Sequence, residues 1–85
     1  MDVVLYDVAR AALRRRLEGV LRARGFTRLF PNAMWGERNN PDRSGLERAI
    51  RSRLRGEAYG VLLLRITPHQ QEEAIWLLGA GRREP

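Results

Sequence analysis

The chain has 85 residues, no cysteine, 44% hydrophobic and 31% charged residues, and a formal net charge of +6. That length bounds it to one domain with a thin core. The composition excludes disulfides and thiolate metal sites, and no apolar run approaches the ~20 residues of a membrane span. All sixteen basic residues are arginine. The guanidinium fork matches phosphate oxygens in pairs, so the surplus suits a polyanion. A GC-rich coding bias gives the same arginine preference without function. No basic segment precedes the short apolar start, so a secretory signal is not expected and a soluble, cytoplasmic protein is.

In chain order, Asp2 to Val8 reads as a strand. Val3, Leu5 and Asp7 share one face and Val4, Tyr6 and Val8 the other, and both faces are apolar. A helix is predicted over about Ala9 to Arg24, with Leu13, Leu17, Val20 and Leu21 inward. Arg14, Glu18 and Arg22 read as an outer i,i+4 ladder, and Gly25 as the C-terminal stop. Phe26 to Phe30 and Ala33 to Glu37 form two further strands about the Pro31-Asn32 turn. Gly36 to Arg43 is a polar loop. Ser44 and Glu47 read as a capping box that starts a second helix, ended by Gly56. Leu46, Ile50 and Leu54 face inward on it; Arg48, Arg51 and Arg55 face out.

Tyr59 to Ile66 is the fourth strand, apolar on both faces. Thr67-Pro68-His69-Gln70 has a cap, proline and glutamine where a helix begins. Ala74 to Leu78 then reads as a fifth strand before Gly79. The order is βαββαβ, an α+β, ferredoxin-like pattern, in residues 1–80 with a frayed tail over 81–85. Strands one and three are then central and strand four an edge. Helices occupy one sheet face, and a homodimer through the other face is expected.

These residues together resemble the CRISPR-associated Cas-two family. The resemblance lies in Val3-Val4-Leu5-Tyr6-Asp7-Val8, Arg14-Arg15-Arg16, Gly25-Phe26, the Ala33-Met34-Trp35 strand and Gly60 to Ile66. Ala74 to Gly79 resembles the family's fifth strand, which there crosses to the partner's edge. The likeness implies a symmetric dimer that takes part in CRISPR adaptation, antiviral defence, by bridging the CRISPR integrase along duplex nucleic acid. Some members are described as metal-dependent nucleases, with the Tyr-Asp aspartate at the dimer axis. Asp7 is the one position carried over as catalytic and metal-binding, with Mg²⁺ or Mn²⁺ as the implied ion. The third strand departs from the family, with Ala33-Met34-Trp35-Gly36 where Ser-Val-Phe-Glu usually stands. The related domain of phenylacetate-type (PaaX) repressors and virulence-associated protein D, a ribonuclease toxin, are similar too.

Three functions stay open: a duplex-binding adaptation protein, a metal-dependent endoribonuclease using Asp7, and a dimeric regulatory module without nucleic acid. Asp7 reads equally as a site carboxylate or as an N-cap of the first helix. The nucleic-acid contacts expected are Arg10, Arg14, Arg15 and Arg22 on the first helix and Arg38 and Arg43 in the loop. His69 reads as a surface histidine, and Trp35 and Trp76 as packing residues. No paired nucleophile and base and no dinucleotide signature appear, which disfavours small-molecule chemistry.

Overall fold

The computed structural model describes residues 1–36 and 41–82. Its elements run β1 (Asp2–Asp7), α1 (Ala11–Arg22), β2 (Thr27–Phe30), β3 (Ala33–Gly36), α2 (Arg43–Arg53), β4 (Gly60–Arg65) and α3 (Pro68–Glu72). The four strands make one antiparallel sheet of order β2-β3-β1-β4, so β1 and β3 are central and β4 is an edge. This α+β arrangement is compatible with a ferredoxin-like fold.

Alternation along β1 divides the sheet's two faces. Val4 and Tyr6 turn to one side with Met34 and pack under α1 and α2, through Leu13, Leu17 and Leu21 of α1 and Leu46 and Ile50 of α2. Leu17, Leu21, Met34 and Leu54 are the most deeply enclosed side chains. Burying one such leucine contributes about 1.5–3 kcal/mol. Val3, Leu5 and Asp7 turn to the opposite side, where Trp35 lies across from Val3 and Leu62 across from Leu5. Among the described residues neither α1 nor α2 covers that side, and Leu62 stays 52% exposed.

Local chemistry ends the helices. Phe26 N donates to Leu21 O at 3.1 Å and Gly25 N to Arg22 O at 3.0 Å. Gly25 sits at φ 85°, a left-handed position that closes α1 in a Schellman turn and that glycine adopts without strain. The short α3 carries the expected capping box between Thr67 and Gln70, with proline in its first turn.

Three local expectations are corrected. The cap of α2 is Asp42, whose carboxylate accepts from Gly45 N at 2.8 Å, and Ser44 lies inside the helix. Asp42 already occupies the space beside Gly45, where a Cβ would collide with its carboxylate. Glu47 is left to pair with Arg51, one turn on, at 3.1 Å. Secondly, Glu18 keeps its i,i+4 pair with Arg22, at 3.7 Å, but does not lie on the outside. It is 4% exposed, because its side of α1 faces β2 rather than water. Thirdly, α1 begins at Ala11 rather than Ala9, since Arg10 is its extended N-cap.

The C-terminal segment also differs from the expected strand. Residues 74–79 make no ladder with the described sheet. Instead Trp76 reaches the open face over β2 and β3, its ring 5.7 Å from Trp35 edge-on and 6.1 Å from Phe30. Aromatic pairs at such separations favour tilted and edge-to-face geometry. A register irregularity in β2 helps, bringing Phe30 opposite Ala33. Ile75 and Leu77 on either side of Trp76 are 83% and 88% exposed.

Candidate functional site

Asp7 is the last residue of β1 and stands on the open face, opposite Gly60 of β4. Its side chain is exposed and, among the described residues, has no ion pair or hydrogen bond. The alternative role of helix cap is excluded by position. The N-cap of α1 is Arg10, three residues on, and α1 has no side-chain cap. Asp7 is therefore a free carboxylate at the end of an apolar sheet face.

Two open grooves meet at Asp7. One runs over Leu5, Gly60 and Leu62. The other is lined by Tyr6, Arg14, Arg28 and Asn32, bringing the β1–α1 connection and the β2–β3 turn together. Arg14 is fastened here, with Nη1 donating to Val8 O and Ala9 O, each at 2.8 Å. Carbonyls orient a guanidinium without cancelling its charge, so Arg14 remains a fixed cation beside Asp7.

Arg28 reaches the groove's other wall and pairs with the buried Glu18 at 2.6 Å. The Glu18 hydrogen bond first, and its charge second, hold Arg28 protonated above its ordinary range. The Tyr6 hydroxyl is buried beside this pair and, among the described residues, completes no hydrogen bond. Burial first and the Glu18 charge second push the Tyr6 pKa upward, against a smaller opposite pull from Arg28 and Arg22.

This has a measurable consequence. An unfolded tyrosine loses its proton near pH 10.0 and the folded Tyr6 only above that. The contribution to stability is therefore whole below pH 10 and is lost as pH climbs through the folded value. Tyr6→Phe removes an unsatisfied buried hydroxyl. At pH 7 it is expected to leave stability unchanged or raise it by up to about 1 kcal/mol. Urea unfolding at pH 7 and above pH 10 checks both parts, and the alkaline loss is expected to shrink in the variant. A destabilisation above about 2 kcal/mol at pH 7 contradicts the unsatisfied hydroxyl.

The six expected nucleic-acid contacts divide. Arg10 and Arg14 lie near Asp7, but Arg10 is taken up by Glu57, with Nη1 2.8 Å from each carboxylate oxygen. Arg15 and Arg22 are exposed on α1, Arg22 standing 3.7 Å from Glu18. Arg43 is exposed at the start of α2. Arg38 lies outside the described residues. Sequence reasoning missed Arg28, Glu18 and Tyr6 as a group. The short run Thr27–Phe30 carries no alternation that marks Arg28, and only the sheet order brings it to α1.

Among the described residues, the chain gathers no site that fits a divalent cation, since no three of His, Cys, Asp and Glu come together. One exposed carboxylate supplies too few oxygen ligands for Mg²⁺ or Mn²⁺. His69 is on the surface in α3, 3.0 Å from Glu73, and faces no site. Among the described residues, no helix is long and apolar enough to cross a membrane. In comparisons with known proteins, no family model and no curated protein matches the chain.

Proposed function

We propose that the chain acts as a symmetric homodimer of ferredoxin-like units that binds duplex nucleic acid, in the manner of a Cas-two adaptation protein that bridges a CRISPR integrase. The observation that carries this reading is the open sheet face. It is apolar at Val3, Leu5, Leu62 and Leu64, lies on the side away from α1 and α2, and ends in the carboxylate of Asp7. A thin-core domain gains stability when a second copy covers such a face. In this reading the C-terminal segment, held over β2 and β3 through Trp76, forms part of the surface that the second copy covers.

A second reading is a metal-dependent endoribonuclease. Asp7 favours it, because an exposed carboxylate with no structural partner is free for chemistry. Its symmetry mate would supply the further oxygen ligands that one subunit lacks, and the ion held there would polarise a phosphate. The third reading, a regulatory dimer without nucleic acid, is supported by the same face but leaves the arginine surplus unused.

The test is a fluorescence-anisotropy titration of the full chain with duplexes at several salt concentrations. Contacts through phosphates leave sequence unread, so binding is expected to be indifferent to sequence. With roughly six phosphates engaged per dimer, the log–log salt slope is expected near −5, at about −0.9 per phosphate. Arg14→Ala with Arg15→Ala is expected to weaken all duplexes alike and flatten that slope. No binding at low salt, or a slope near zero, removes the nucleic-acid readings and leaves the regulatory module.

A further inference from the structure

On the side away from the open face, the helix layer has an opposite character. Arg15 and Arg22 on α1, Arg48 and Arg51 on α2, and Arg55 just after it are all exposed. Helical spacing sets Arg15 and Arg22 opposite the inward Leu13, Leu17 and Val20, and sets Arg48 opposite Leu46 and Ile50. They therefore point straight outward from the layer.

Acidic groups do little to neutralise them. Glu18 is buried and held at 2.6 Å by Arg28, leaving Arg22 at 3.7 Å, and Glu47 takes up Arg51. Among the described residues, Arg15, Arg48 and Arg55 have no carboxylate within 4.0 Å. The exposed positions around them are small: Ala12, Gly19, Ala23 and Ser52.

That combination selects a partner. A membrane-surface helix needs large apolar residues to enter the lipid, and none stands on this face. A phosphate backbone needs forked cations on a surface without obstruction. Helices of this length span about 17 Å. Along that distance a duplex presents on the order of ten charges, one per ~1.7 Å.

We propose that the outer face of the helix layer is a phosphate-backbone surface, and that the dimer, burying its open faces, carries two such surfaces back to back and bridges two duplexes. The proposal rests on the dimeric, duplex-binding reading above and adds both the location of the contact and its stoichiometry. Arg48 of α2 and Arg55 just after it join Arg15 and Arg22 of α1 in one contact. Asp7, on the opposite face, takes no part in it.

The test uses the full chain and two duplexes, one immobilised on beads and one fluorescent and free. Added protein is expected to carry the free duplex onto the beads, and a large excess of protein is expected to release it as each dimer fills with separate duplexes. Arg48→Ala with Arg55→Ala is expected to cut capture about tenfold and to reduce the magnitude of the anisotropy salt slope by about two per duplex, one for each lost phosphate contact. The paired lysine variant, Arg48→Lys with Arg55→Lys, retains charge and is expected to keep most of the capture. Sedimentation of both variants as wild-type-like dimers excludes misfolding as the cause.

Duplex binding without capture, at one duplex per dimer, overturns the bridging proposal and leaves the proposed function standing. Capture unaffected by the alanine variant also overturns it, since the contact then lies elsewhere. Absence of any duplex binding overturns both. Preferential binding to phosphatidylglycerol vesicles in the presence of competing duplex assigns the surface to a membrane and overturns the proposal.

Discussion

Asp7→Asn is expected to bring any Mg²⁺- or Mn²⁺-dependent cleavage of nucleic acid by this protein down to background while leaving the fold intact. The side chain is exposed and has no partner among the described residues. Its replacement by a near-isosteric amide therefore changes stability by no more than about 0.5 kcal/mol. An amide is a neutral and weaker ligand for a hard cation, and at a site shared by two subunits the change removes two charges at once. The measurement is gel-based cleavage of RNA and DNA with each cation and with chelator, beside thermal unfolding of both proteins. Cleavage that persists in the variant and ignores chelator excludes Asp7 from the chemistry. A wild-type protein that binds duplex and cleaves nothing favours the adaptation role.

Leu62→Glu is expected to turn the proposed dimer into a folded monomer. In the single subunit Leu62 is already 52% exposed, so a carboxylate there meets water and perturbs little. In a dimer closed through the open face, the same carboxylate is buried without a partner in each of two copies. Even about 2 kcal/mol for each copy weakens association on the order of a thousandfold. Analytical ultracentrifugation of variant and wild type across a range of concentrations reads this directly. Removal of the chain from Ala74 onward acts on the other part of the face. It strips Trp76 from Trp35 and Phe30, and loss of the dimer or aggregation through the bared sheet is expected. A Leu62→Glu protein that remains a tight dimer places the interface elsewhere, and a truncated chain that stays a soluble dimer denies the tail its part.

Much of the fold was legible because it is written in short-range chemistry. Alternation of Val3, Val4, Leu5 and Tyr6 sets a strand, and the spacing of Leu13, Leu17, Val20 and Leu21 sets a helix. Gly25 and the Thr67 capping box act within one turn of chain. Even the sheet order follows from the βαββαβ succession, since few topologies place two such units in one sheet. The cap of α2 was misplaced by two residues because Asp42 and Ser44 are both competent caps.

Asp7 itself was legible as a candidate, yet its two roles could not be separated without knowing where α1 begins. Arg10 and Arg14 were legible as cations but not as occupied ones. Glu57 is 47 residues from Arg10 in sequence, and the carbonyls of Val8 and Ala9 are offered to Arg14 only by the bend between β1 and α1. Glu18 shows the same limit. Its helical position is polar by spacing, and only β2, arriving with Arg28 on the helix-covered side, makes that position interior.

The sequence by itself determined the four strands of the sheet, the two long helices, the glycine stop of α1, the buried leucines of both helices and the surplus of arginine. Each of these depends on residues within a turn or two of one another, or on composition alone. Only the tertiary structure decided which face of the sheet stays bare, which arginines keep an uncompensated charge, and that the C-terminal segment lies through Trp76 on β2 and β3. Those outcomes turn on contacts between residues far apart in the chain, where sheet order and helix packing choose among partners that local pattern leaves equivalent.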